Sequence, residues 1–302
     1  MTRRAILEAL SDGPIAGPAI AEELGISRAA VWKHVETLRE AGLEIESGPE
    51  GYELVAVTGY NGPAIECGLA APFAVEYHDS IDSTNDRARE LAAAGASDVA
   101  VVAGEQTGGR GRLGRAWESP AGGIWTSVLL RPTTSPANAA RFTFAAAVAV
   151  ARTAREAGVD ARIKWPNDVV VDGDKLAGIL TEMEGEAGRI SWLVVGIGLN
   201  ADVDPDVLPA GTTSLRAEGG DVDRRIALQG ILEGLYDRRD LDVLGEWREL
   251  STTLGRRVRI STADGTVEGE AVDVTDTGAL VVETADGRET VTTGDCEHLR
   301  PA

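Results

Sequence analysis

The chain has 302 residues, 29 basic against 49 acidic side chains, and a formal net charge of -20. That length fits two or three domains with their own cores. No apolar run approaches bilayer-spanning length and no signal-peptide core follows Met1 to Ala5, so the sequence predicts a cytoplasmic protein without a membrane segment.

Lysine occurs only at Lys33, Lys164 and Lys175. Such scarcity beside so many carboxylates reads as adaptation to a salt-rich cytoplasm, where ions screen the repulsion between surface charges. Cys67 and Cys296 lie far apart without metal-like spacing and are expected as reduced thiols. His34, His78 and His298 form no cluster, so no structural metal is expected.

The first domain is read as residues 1–58. Helices are predicted over 3–10 and 18–24, with a third capped by Ser27 and ending near residue 41. In the third, Val31, Val35 and Leu38 recur at core spacing, which turns Arg28, Ala29, Trp32 and Lys33 outward as in a recognition helix. Strands at 43–46 and 52–55 make a wing, and the whole resembles a winged helix-turn-helix. Ser27, Arg28, Ala29, Trp32 and Lys33 are the candidate DNA contacts. Against this stands the charge: Arg3, Arg4, Arg28, Lys33 and Arg39 face ten acidic residues in the same segment. Duplex binding leans on counterion release, so a small docking or dimerisation module remains the alternative.

Residues 59–253 read as an α+β domain around a largely antiparallel sheet. Strands are predicted at 73–78, 99–103, 124–130, 169–171, 176–184 and 190–199. Helices are predicted at 84–94 and 137–157, and over 224–254 in two pieces. From 254 to 302 short strands with glycine turns, at 257–261, 266–274, 279–284 and 288–293, indicate an SH3-like β-barrel in which no catalytic constellation is visible.

The segment from Gly108 to Trp117 concentrates three arginines, Arg110, Arg112 and Arg115, between glycines and contains no acidic residue. Open backbone amides and guanidinium forks are what carboxylate and phosphate oxygens require. Arginine-glycine runs also occur as solvated linkers, but apolar strands at both ends anchor this one. Lys164-Trp165-Pro166-Asn167-Asp168 and Lys175 hold two of the three lysines. Lys175 opens an apolar strand and is the better candidate for a ligand contact; Lys164 reads equally well as a solvated ion pair. Ser83-Thr84-Asn85 begins a helix, either as a plain cap or as neutral donors and acceptors for a polar group. Gly196-Ile197-Gly198-Leu199-Asn200 is either a bulge or a strand end open to a ligand.

Taken in order, Ser83-Thr84-Asn85, the Gly109–Arg115 loop with Trp117, Lys164 to Asp168, Lys175 to Leu180 and Gly196 to Asn200 resemble the motifs of biotin protein ligases. The three-part layout is similar to the bifunctional ligases that also repress biotin operons. The resemblance implies a central domain related to class II aminoacyl-tRNA synthetases. It also implies a two-step reaction, in which biotin and MgATP give biotinyl-5'-AMP and a lysine of a biotin carboxyl carrier domain then takes the biotinyl group. It assigns Ser83, Thr84, Asn85 and Gln106 to biotin's ring and ureido end, with Arg110, Gly111, Arg112 and Lys175 at its carboxylate. Arg110, Arg112, Arg115, Trp117, Lys164, Asn167, Asp168 and Asn200 are assigned to the nucleotide. Arg112, Lys175 and Asp168 are the catalytic candidates.

Two approaching anions need positive charge where the transition state develops, and Arg112, Lys175 and Mg²⁺ supply it. The base that deprotonates the acceptor lysine is not identified. The implied partners are the carrier domain, operator DNA and a second copy of the chain. Two other readings share the binding residues: a biotin-sensing DNA-binding regulator without efficient turnover, and a lipoate or octanoyl transferase.

Overall fold

The computed structural model describes residues 2–186, 188–240 and 242–299. Its N-terminal unit consists of α1 (Thr2–Ser11), α2 (Gly17–Glu23), α3 (Arg28–Glu40), β1 (Leu43–Gly48) and β2 (Gly51–Val57). Ser27 caps α3 by accepting from the Ala30 amide at 3.1 Å. Val31, Val35 and Leu38 enter a core with Ile6, Leu7, Leu10 and Ile20. The same helical spacing leaves Arg28, Ala29, Trp32 and Lys33 exposed. The wing is longer than its apolar pattern indicated, with Gly48 opposite Gly51 and only Pro49 and Glu50 in the loop. The added β1 positions, Ser47 and Gly48, are exposed and carry no hydrophobic signal.

The central unit begins with α4 (Gly62–Glu66), β3 (Ala74–Ile81), α5 (Thr84–Ala93), β4 (Val99–Gln106), β5 (Ile124–Leu130) and α6 (Ala140–Glu156). It continues with β6 (Arg162–Lys164), β7 (Asp168–Val171), β8 (Asp174–Glu186), β9 (Arg189–Leu199), α7 (Arg224–Arg238) and α8 (Leu244–Leu250). Its seven strands run in the order β3-β4-β5-β9-β8-β7-β6. Only β3 and β4 pair in parallel. Along β4, Val101 packs towards α5 while Ala100 and Val102 join the larger core with α6, so the two helices cover opposite faces. Six buried alanines let α6 lie close on the sheet. Between β7 and β8 the turn is Asp172-Gly173, both at positive φ (50° and 100°), as a type I′ hairpin requires.

The C-terminal unit is an antiparallel sheet of β10 (Arg257–Thr262), β11 (Gly265–Val274), β12 (Leu280–Thr284), β13 (Gly287–Val291) and β14 (Asp295–His298), ordered β13-β12-β11-β10-β14. This fits the expected SH3-like architecture. β14 and β6 were not legible beforehand, being short strands with one buried residue each. The C-terminal unit shares a core with the central one: Val258, Ile260, Leu280 and Val282 join the same buried cluster as Phe144 and Trp165, and Trp165 Nε1 donates to the Gly278 carbonyl at 3.0 Å. At the other end, the Arg4 guanidinium donates to the carbonyls of Leu69 and Ala71 at 3.0 Å, and Arg3 pairs with buried Glu66 at 2.7 Å. Cys67 and Cys296 are free, buried thiols. Among the described residues no helix is long and apolar enough to cross a membrane.

At the seam between central and C-terminal units, Thr253 Oγ1 accepts from the Trp165 amide at 3.0 Å and meets His298 Nε2 at 3.0 Å. Burial foremost, then Lys164 and Arg256, hold His298 down at about 4. An unfolded histidine titrates near 6.5. The stability that neutral His298 contributes is therefore present above about pH 6.5 and lost as pH falls towards about 4. The melting temperature is expected to fall over that window, and to fall less steeply in His298→Gln; identical slopes would contradict the assignment.

Candidate ligand and active site

A cavity of about 490 Å³ opens on the α5 face of the central sheet. Every residue singled out from the sequence for ligand binding or catalysis lines it: Ser83, Thr84, Asn85, Gln106, Arg110, Gly111, Arg112, Arg115, Trp117, Lys164, Asn167, Asp168, Lys175 and Asn200. Ser83 and Asn200, 117 positions apart in the chain, are brought to one cavity because β4, β5, β9 and β8 are neighbours in the sheet.

One end is neutral and buried. Ser83 caps α5, and Thr84 and Asn85 follow at 3% and 6% exposure. Gln106 Oε1 accepts from the Thr84 amide at 2.8 Å and its hydroxyl at 3.0 Å, while Gln106 Nε2 donates to Ser119 at 2.9 Å. Asn85 Nδ2 donates to Glu182 at 2.7 Å. Gly196 lies beneath, and a β-carbon there would sit 2.2 Å from Asn85 Oδ1.

The other end is cationic. Gly111 donates to the Arg115 carbonyl at 2.7 Å and Trp117 to the Gly109 carbonyl at 2.9 Å, closing the glycine-arginine segment into a folded loop rather than a linker. Arg112 donates to Asn167 Oδ1 at 3.0 Å, and to Thr293 Oγ1 and the Gly294 carbonyl at 3.0 and 3.3 Å. Partial burial lowers its pKa, against the opposing pull of Asp295 and Asp168. Arg115 pairs with Asp295, which raises its pKa, and Arg110 pairs with Asp86. Lys175 Nζ lies 2.7 Å from Asp168 Oδ1, an ion pair outside hydrogen-bonding geometry, and 4.9 Å from the centre of the Trp117 ring. The Trp117 indole rests on Gly198, where a β-carbon would come within 2.6 Å of Nε1. That Nε1 is buried without a partner.

Backbone bonds fix Lys175: its amide donates to the Gly211 carbonyl, and its own carbonyl accepts from Thr213, both at 2.9 Å. Asn200 is 2% exposed and donates to the Thr213 carbonyl at 2.9 Å. Lys164 faces the cavity half-buried and makes no ion pair among the described residues. The solvated-pair reading of Lys164 thus finds no carboxylate partner there.

Sequence reasoning missed the second layer. Asp86, Ser127 and Glu182 hold site residues without a motif of their own. Thr293, Gly294 and Asp295 come from the C-terminal unit, where no chemistry was visible; their part is to hold the loop arginines. No local signal marks them, since the contacts span about 180 positions. Among the described residues no cluster of three His, Cys, Asp or Glu side chains is placed to hold a metal.

Family models match in three places: residues 2–53 an HTH domain, 77–200 the biotin/lipoate A/B protein ligase family, and 253–299 the biotin protein ligase C-terminal domain. The "bifunctional ligase/repressor BirA" of Bacillus subtilis is 36% identical over 94% of this chain and 93% of its own. The chain belongs to the biotin protein ligase family. Within it, the arrangement is that of the bifunctional ligase/repressors, since the Escherichia coli protein of that name is also 33% identical over 88% of this chain and 87% of its own. The solved biotin protein ligase of Aquifex aeolicus, in complex with biotin and ATP, superposes with a TM-score of 0.64 at 27% identity, covering 75% of this chain and 99% of that one. This family membership removes the lipoate or octanoyl transferase reading from consideration.

Proposed function

We propose that this protein joins biotin to ATP, giving biotinyl-5'-AMP and pyrophosphate, and then transfers the biotinyl group to a lysine of a biotin carboxyl carrier domain. The observation that carries the reading is the division of one cavity into a neutral, hydrogen-bonding end at Thr84, Asn85 and Gln106 and a cationic end at Arg110, Arg112 and Lys175. A bicyclic urea with an acid tail needs the first, and a carboxylate meeting a triphosphate needs the second.

Thr84, Asn85 and Gln106 present oxygens to the ureido N–H groups. Arg110, Gly111, Arg112 and Lys175 gather the valeryl carboxylate, and Trp117 packs against the adenine while Arg115, Lys164, Asn167 and Asn200 face the nucleotide. A carboxylate oxygen then attacks the α-phosphorus, the bond to the bridging oxygen breaks, and pyrophosphate leaves. Arg112 and Lys175 stabilise the charge that builds on the phosphoryl oxygens. Magnesium arrives on the triphosphate as part of the substrate and would supply further positive charge beside Arg112 and Lys175. The loop, clasped by Thr293 to Asp295, excludes water from the acyl-phosphate. The acceptor amine attacks the acyl carbon and AMP departs. Asp168 is paired with Lys175 and so is not a free base for that amine.

The exposed Arg28, Ala29, Trp32 and Lys33 beside the wing support operator binding by the 1–58 domain, with 59–253 and 254–302 as the other two units. A homodimer is supported by β8, which β7 covers only from Asp174 to Gly178, leaving the edge from Thr181 onward open among the described residues. Cytoplasmic, high-salt operation is the reading of the charge balance.

Purified protein in concentrated potassium chloride, given biotin, MgATP and a carrier domain, is expected to biotinylate that domain. No transfer under those conditions overturns the reading.

A further inference from the structure

The neutral end of the cavity has more oxygens than protons. Thr84 Oγ1 contacts Gln106 Oε1 at 3.0 Å, Ser127 Oγ contacts Thr84 Oγ1 at 2.7 Å, and Ser127 Oγ also contacts Asn85 Oδ1 at 2.5 Å. These three oxygen–oxygen contacts have only the two hydroxyl protons of Thr84 and Ser127 between them. One contact therefore lacks a proton and sets two oxygen lone pairs against each other, while each amide oxygen still accepts one proton, Gln106 Oε1 from the Thr84 N–H and Asn85 Oδ1 from Ser127.

The direction of both amides is set by chemistry. Gln106 Oε1 faces the Thr84 backbone N–H, which can only donate. Asn85 Nδ2 faces Glu182 Oε2 at 2.7 Å, and a carboxylate can only accept. Arg89 holds that carboxylate from its other oxygen at 3.6 Å. Turning the Asn85 amide over would complete the network, since its N–H would donate to Ser127, Ser127 to Thr84, and Thr84 to Gln106. The same turn would point Oδ1 at a carboxylate oxygen, which Glu182 forbids.

We infer that Glu182 is a positioning residue that keeps this network one proton short, so that the site selects a head group carrying N–H donors. Thr84, Asn85 and Gln106 line the cavity, so their oxygens, each with an accepting lone pair to spare, are the acceptors on offer to a ligand N–H. An apolar head such as a dithiolane brings no proton. The inference rests on the ligase reading above and adds the origin of its preference for a cyclic urea.

Glu182→Gln tests it. Glutamine is close to isosteric but can donate, which permits Asn85 to turn and the network to close on itself. The expected result is an approximately tenfold rise in KM for biotin, as for one lost hydrogen bond, with kcat at saturating biotin and KM for ATP within about twofold of the parent. Binding of lipoic acid, measured by competition, is expected to stay unchanged, so the preference for biotin narrows. A general loss of packing would instead move all constants together. Glu182→Ala, checked by its melting curve, is expected to shift the same constant in the same direction. Parent-like KM for biotin in both variants overturns the inference while leaving the ligase reading intact, whereas a parent protein unable to activate biotin overturns the ligase reading itself.

Discussion

Lys175→Ala is expected to slow biotin-dependent pyrophosphate release by about 10²–10³-fold, the usual cost of removing one preorganised charge from a transition state. Lys175 is fixed at the start of β8 by backbone bonds to Gly211 and Thr213, and its ammonium stands between Asp168 and the Trp117 ring. Its removal takes away a cation and also leaves the Asp168 carboxylate uncompensated against incoming phosphates. The pair is about a quarter to a third exposed, so its contribution to folding is small, about 0–1 kcal/mol. The variant is therefore expected to melt near the parent temperature while losing the first half-reaction. Lys175→Arg retains charge and is expected to recover part of the rate. Parent-like pyrophosphate release by the alanine variant would remove Lys175 from the chemistry.

Gly196→Ala is expected to raise KM for biotin by about 100-fold, a loss typical of a displacement near 1 Å at a positioned group. The added carbon would lie 2.2 Å from Asn85 Oδ1, and Asn85 has little room to retreat because Glu182 and Ser127 hold its two ends. Gly198→Ala acts at the other end, where the carbon would come 2.6 Å from the Trp117 indole. It is expected to raise KM for ATP and to spare biotin. Steady-state kinetics with each substrate varied in turn reads both effects. Equal effects of the two variants on both substrates would contradict the division of the cavity.

These variants mark where the sequence was readable. The motif residues outside the glycine-arginine loop were legible where they sit at a strand end or helix start, where local pattern predicts both the element and the face. Lys175 opening an apolar strand, and Ser83 to Asn85 opening α5, are of that kind. The core face of α3 was readable for the same reason, since Val31, Val35 and Leu38 follow helical spacing. What stayed hidden has no local period. β14 is four residues long with one of them buried, and its neighbouring turn reaches the loop arginines across about 180 positions. Glu182 lies in a partly exposed stretch of β8 and reads as a surface charge, although its carboxylate meets Asn85 from 97 positions away. The glycine-arginine loop was legible as an anion site, but its clasp by the C-terminal unit was not, because tertiary packing alone brings Asp295 to Arg115.

The central claim is that one cavity holds a carboxylic acid and a nucleoside triphosphate so that each activates the other. Exchange of labelled pyrophosphate into ATP reads that step without any carrier protein. The account predicts exchange that requires biotin and MgATP together and nearly disappears in Lys175→Ala. Exchange without biotin, or none in protein that binds both compounds, would contradict it.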